Sequence, residues 1–224
     1  MPADTLFTPG FRHSGQVFSL LSFPTAIFLF LTLRPYLAPY FPAIPTFFVL
    51  GKYAYLYPDL VWQIVADGHE VGNHSFFHPL FTTITPTVAS QEITYTEAVI
   101  DWAVGQHVPM RYVRFPYGGR NYANRLHAAS FGYQSSFWDI DPRGWDPTKT
   151  VTDVIAHVRH TAHHGGIVIM HCGSWDDANA LAGVIQVIRE LGMQPGTLTD
   201  VLGQADYEIP HYPKTPRQGD HVEE

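Results

Sequence analysis

Two imidazoles four residues apart, in His74-Ser-Phe-Phe-His78, are the first feature of this chain that could do chemistry. Imidazole is the commonest metal ligand and the usual acid or base near neutral pH. On one helical turn, positions i and i+4 share a face, so the spacing predicts two rings able to bind one metal ion. Such a pair arises often by chance, and its setting carries more weight. Gly68-His-Glu-Val-Gly-Asn-His74 follows a helix stop, and Pro79 ends the segment at once, which presents the pair on a short turn. The chain has 13 histidines, and a second group contains His157, His160, His163, His164 and His171. Taken singly, most of these read as surface or helix-face residues, Arg114 as a strand-end ion pair and Trp145 as core.

The elements that must position these residues begin at Thr46. Short apolar runs predict strands over 46–50, 70–73, 112–114, 133–140 and 166–171. Between and after them, apolar residues at helical spacing predict helices over 58–66, 87–104, 122–130, 151–164 and 178–191. Strands alternating with helices imply parallel βα units. Their number favours a barrel over an open sheet, and no Gly-rich phosphate loop follows the first strand. Ligands in such barrels sit at the C-terminal ends of the strands. His74, Arg114, Asp139 or Asp141, and His171 all fall at or just beyond predicted strand ends, so they should converge on one mouth.

A chain of 224 residues, 46% apolar and 15% charged, is most simply one domain that buries about three quarters of its unfolded surface. Its formal charge of −7 argues against nucleic acid, which rewards clustered Lys and Arg. A lone cysteine, Cys172, excludes an intrachain disulfide framework. The apolar run Val17–Leu33 is shorter than the about 20 residues of a membrane span and is interrupted by Pro24. It lacks the basic start and small-residue cleavage site of a signal peptide. Neither a membrane role nor a compartment follows from it, and the oligomeric state is not indicated. The segment from Tyr207 onward, rich in proline and charge, reads as a disordered tail.

Several motifs in order resemble the polysaccharide deacetylase family, the NodB-homology domain of carbohydrate esterase family 4. They are Thr46-Phe-Phe-Val-Leu-Gly51, Gly68-His-Glu-Val-Gly-Asn-His-Ser-Phe-Phe-His78, Arg114-Phe-Pro-Tyr-Gly118, Asp141-Pro-Arg-Gly-Trp145 and Ile169-Met-His171. The resemblance covers residues 46–202 and implies an α/β fold, a distorted (β/α) barrel of the NodB-homology type. It divides the chain into an atypical segment 1–45, a barrel over 46–204 and a tail over 205–224. The implied reaction removes N-acetyl groups from amino-sugar polymers such as chitin oligomers or peptidoglycan.

By the same resemblance, His74 and His78 are ligands of a divalent metal, commonly zinc, and His171 is the general acid. The backbone N–H of Tyr117, after Pro116, helps hold the oxyanion. Arg114 orients the base aspartate, and Trp145 with Ile169 and Pro116 walls the acetyl pocket. Many members carry an aspartate just before the tryptophan to tune the acid histidine. Here that residue is Gly144, which leaves Asp141 or Asp139 as the substitute.

The family's first motif ends a strand in Thr/Ser-Phe-Asp-Asp-Gly-Pro, and its aspartates serve as third metal ligand and catalytic base. In this chain Ser22-Phe23 is followed by Pro24-Thr25, and Asp4 is the only acidic residue before Asp59. Ile27 to Pro45 also lacks the polar face of the family's first helix. The first βα unit therefore reads as degraded, and two compensating frameshifts over Pro24 to Pro45 would account for it. The leading expectation is a deacetylase whose competence depends on this defect. The alternatives are a catalytically inactive carbohydrate-binding relative and an envelope protein anchored through Val17–Leu33.

Overall fold

The computed structural model describes residues 45–202. The Pro24–Thr25 substitution, the 24–45 stretch up to residue 44, the Val17–Leu33 run and the tail from 205 lie outside the described residues. Thr-Phe-Phe-Val, β-branched and aromatic, forms strand β1 (Thr46–Val49). Helices α1 (Gly51–Leu56) and α2 (Pro58–Ala66) follow, the second started by a proline at its first position. Strand β2 (Glu70–Asn73) leads to the histidine pair and then to α3 (Pro86–Val104). Thr85 caps α3 by accepting a hydrogen bond from the Val88 N–H, and Gly105 ends it at φ 78°.

Strand β3 (Tyr112–Val113), α4 (Tyr122–Ser130) and β4 (Gln134–Ser135) continue the alternation. Helices α5 (Val151–Thr161), α6 (Trp175–Glu190) and α7 (Leu198–Leu202) complete it. The four strands form one parallel sheet in the order β1-β2-β3-β4. Beyond it, Ile140 bridges Val168 in parallel. Helices α5 and α6 pack on each other through Val154, Val158, Ala180, Val184 and Val187.

Several expected boundaries shift. The strand predicted over 133–140 is cut to Gln134–Ser135, because Phe137 and Trp138 stack on each other at 4.1 Å. The strand predicted over 166–171 is reduced to the bridge at Val168. There the Asp139 carboxylate accepts from the Ile167 N–H at 2.7 Å, beside backbone bonds from the Ile140 N–H to Ile167 O and from the Ile169 N–H to Ile140 O. Helix α5 stops at Thr161, and His163 beyond it pairs with Asp139 at 2.9 Å. Helix α6 begins three residues before the expected Ala178, since Ser174 caps it.

At the C-terminal end of the sheet, Asn73 is fully buried and joins three elements. Its amide donates to Ile93 O at 3.0 Å and Tyr133 Oη at 3.2 Å, and its Oδ1 accepts from the Ser75 N–H at 2.9 Å. Tyr133 in turn donates to Glu97 at 2.7 Å. A buried polar group left without partners costs about 1–3 kcal/mol. Asn73→Ala should therefore lower unfolding free energy by about 2 kcal/mol in urea titration, with no change in the denaturant slope.

Candidate functional site

The histidine pair sits on an irregular turn and not on the helical turn expected from its spacing. Pro79 disfavours right-handed helix at His78. Ser75 and His78 instead take φ of 70° and 65°. This turn still brings the rings together, edge to face, with centroids 4.9 Å apart.

Such a turn needs partners for its backbone, and it has them on every side. Glu92, on the buried face of α3, accepts from the Phe76 N–H at 2.7 Å and the Phe77 N–H at 2.8 Å. The first N–H groups of α1 donate to Ser75 O at 3.0 Å and Phe76 O at 3.1 Å. Gly51 permits this approach, because a Cβ there would overlap the Phe76 ring. Ser75 Oγ accepts from the His78 N–H at 3.1 Å.

His74 is fixed by a further bond, 2.7 Å from Nδ1 to Arg114 O. A carbonyl can only accept, so Nδ1 carries the proton and Nε2 is left with its lone pair, as a metal-ligating imidazole requires. Burial drives the His74 pKa down to about 3, and burial followed by the nearby His171 lowers that of His78. Both rings are thus neutral donors at neutral pH. His171 is among the neighbours that lower both.

Around them, Tyr117 is exposed and its ring meets His78 at 4.6 Å, with φ of 58° at its own backbone. Pro116 is buried beneath it. Arg114 lies 4.1 Å over the Phe48 ring and 5.8 Å from Trp138. Its Nε is buried without a hydrogen bond, and it makes no ion pair among the described residues. Burial brings its pKa down to about 10, so it stays charged. Trp145 is exposed on the loop where Arg143 has φ of 57°, and Ile169 is buried. Ser75, His78, Tyr117 and Arg143 are the described non-glycine residues with positive φ, and the first three lie on the loops around the histidine pair.

Asp141 and Asp139 do not reach His171. Asp141 accepts from the Arg143 N–H at 2.9 Å, closing its own turn, and lines a separate cleft of about 550 Å³ with Lys149, Asp153 and His157. Asp139 is held by His163 and Ile167. The carboxylate that meets His171 is Asp177, 3.2 Å from its Nδ1. Sequence reasoning passed over Asp177 because the helix was begun one residue after it. Ser174-x-x-Asp177 before an apolar helix is the pattern that could have found it. Glu92 was also missed, although a carboxylate in the Ala89–Ile93–Thr96–Ile100 register of α3 is the signal of a buried acceptor. Cys172 offers no nucleophile, its thiol being pushed up to about 11 by burial.

Among the described residues no group of three His, Cys, Asp or Glu could hold a metal ion. The pair supplies two nitrogens of the four positions that zinc takes.

The comparisons with known proteins agree on one family. A polysaccharide deacetylase family model matches residues 43–136. The peptidoglycan-N-acetylmuramic acid deacetylase PdaC of Bacillus subtilis is 31% identical over 70% of this chain and 32% of its own length. The solved structure of PdaC superimposes with a TM-score of 0.68 at 28% identity, over 80% of this chain and 84% of that one. A chitooligosaccharide deacetylase of Bradyrhizobium is 34% identical over 57% of this chain and 58% of its length. A CE4-family pseudoenzyme of Bacillus anthracis shares the fold, with a TM-score of 0.71 at 24% identity over 81% of this chain and 62% of that one. The chain thus spans less than two thirds of the length of these curated relatives.

Glu92→Ala should cost about 2 kcal/mol, since two N–H groups lose a charged acceptor, while Glu92→Gln should cost less; urea denaturation separates them. His74 gives a pH signature. Its folded value of about 3 lies below the about 6.5 of an unfolded imidazole, so only the unfolded chain takes up this proton between those values. The stabilisation is complete above about pH 6.5 and is lost as pH falls, at up to about 1.4 kcal/mol per pH unit. Melting from pH 7 to 5 in chelator should show this slope, and His74→Gln should flatten it. With its motifs in order, its parallel α/β fold and these matches, the chain belongs to the polysaccharide deacetylase family.

Proposed function

We propose that this chain removes N-acetyl groups from an amino-sugar polymer, chitin oligomers or peptidoglycan, with the sheet extending into a distorted barrel whose first βα unit is degraded. The observation that carries this reading is the edge-to-face pair of His74 and His78 at the sheet end, with His74 Nε2 left free by the bond of Nδ1 to Arg114 O. The names of the relatives, which act on peptidoglycan and chitooligosaccharides, support the substrate class.

His74 and His78 would hold a divalent cation, commonly zinc, which when bound polarises an amide carbonyl and acidifies water. With only two described donors, no step is derived through it. The roles of the remaining residues are those that the family resemblance implies. His171 gives its Nε2 proton to the leaving amine, because its Nδ1 is taken by Asp177. The Tyr117 backbone N–H faces the developing oxyanion. Arg114, charged and without an ion pair among the described residues, would orient a base carboxylate, and Trp145 with Ile169 would wall the acetyl group. Water and amide become acetate and a free amine.

One observation favours a second reading, a binding module without hydrolysis. Neither a third metal ligand nor a carboxylate on Arg114 is present among the described residues. Acetate release from chitin oligomers with added zinc decides between the two. On the first reading acetate appears, and His171→Ala lowers it by about 10²–10⁴-fold. Pro24→Asp with Thr25→Asp should raise it by a similar factor. Oligomer binding with no acetate, in the chain as written and in that double variant, would leave the binding module standing.

A further inference from the structure

We infer that Asp177 positions His171. Its carboxylate occupies the space left by the missing side chain of Gly144 and holds the imidazole with its proton on Nδ1, keeping Nε2 as the reacting nitrogen. The inference deepens the role given to His171 above and rests on that reading.

Four observations carry it. First, Asp177 Oδ2 lies 2.9 Å from the His171 backbone N and 3.2 Å from its Nδ1, so one oxygen accepts from both. Second, the Asp177 side chain is 1% exposed and that of His171 is 41% exposed. The carboxylate is therefore an interior group, and the ring it touches is the one open to solvent. Third, a Cβ on Gly144 would overlap the Asp177 carboxyl. Residue 144 and residue 177 compete for one place, and glycine at 144 concedes it. Fourth, Ser174 holds the two segments in this relation, since its Oγ donates to Gly144 O and accepts from the Asp177 N–H at 3.1 Å.

A structural explanation exists for part of this. An acidic residue in the first turn of α6 suits the helix dipole, and its bond to the His171 N–H closes the intervening turn. Neither task needs the bond to Nδ1. Nor do they explain Oδ1, which is buried beside Gly144 without a hydrogen-bond partner. Keeping an ionisable group there is costly unless its charge is used.

The test is the tautomer of His171, read from long-range ¹H–¹⁵N correlations of the imidazole in the full chain. Spectra are taken with chelator at about pH 8, where ordinary imidazoles are neutral, and His171→Gln identifies the signal. The native chain should show the proton on Nδ1. In Asp177→Ala most molecules should move it to Nε2. Gly144→Asp combined with Asp177→Ala returns a carboxylate to the same place from the other segment and should restore the Nδ1–H form. A native His171 protonated on Nε2 overturns the inference whatever the variants do. So does a folded Asp177→Ala chain that keeps the Nδ1–H form, or a folded double variant that fails to regain it. If Asp177→Ala does not fold, the native spectrum and the double variant decide. The readout is on the ring itself, so an inactive chain, which would sink the deacetylase reading, leaves this result unchanged.

Discussion

The site depends on keeping every polar backbone group satisfied in a turn that cannot be a helix. Pro79 and the positive φ of Ser75 and His78 remove the helical route by which two histidines four apart normally share a face. What remains is a strained five-residue loop whose N–H and C=O groups must be met from elsewhere. Glu92 Oε2 on α3 accepts from two N–H groups, the start of α1 supplies two donors, and Asn73 and Ser75 close the turn upon itself. Positive φ at a non-glycine residue costs about 1–3 kcal/mol, a strain that persists only where the surroundings over-determine it. This loop meets that condition, and the two imidazoles are its product.

The same logic runs through the sheet. Parallel pairing puts Asn73, Val113 and Ser135 in successive registers, so the residues just beyond them open on one end. The His74 N–H bonds Val49 O and the Arg114 N–H bonds Asn73 O, extending the ladder by one residue into the site. Behind it, Glu70 accepts from Thr46 and Thr199, and Thr46 accepts from the Leu198 N–H at 2.9 Å, which ties α7 to the first described strand.

Much of this was legible in the sequence. The βα alternation gave the parallel sheet, and strand ends pointed to His74, Arg114 and His171. The conformation of the pair was not legible. Spacing of four reads as helix, and only the proline after His78 argued otherwise. The polar supports were missed because a period analysis treats Glu92 as a surface residue, and its worth lies in two N–H groups fifteen and sixteen residues away. Asp177 was hidden by its neighbour, since nothing in Gly144 itself says that a carboxylate from another segment fills its place. The strands at 133–140 and 166–171 are shorter than their apolar runs suggest, since Phe137 and Trp138 stack on each other and pairing beyond them is confined to the bridge of Ile140 with Val168.

The proposed function requires His74, His78 and His171 to meet one carbohydrate at one sheet end. Titration of the full chain with a chitin oligomer, followed through the imidazole resonances, measures this. The three histidines should shift together along one binding curve, with His157 and His160 unmoved. Binding that leaves His74, His78 and His171 unperturbed while shifting His157 and His160 would contradict it.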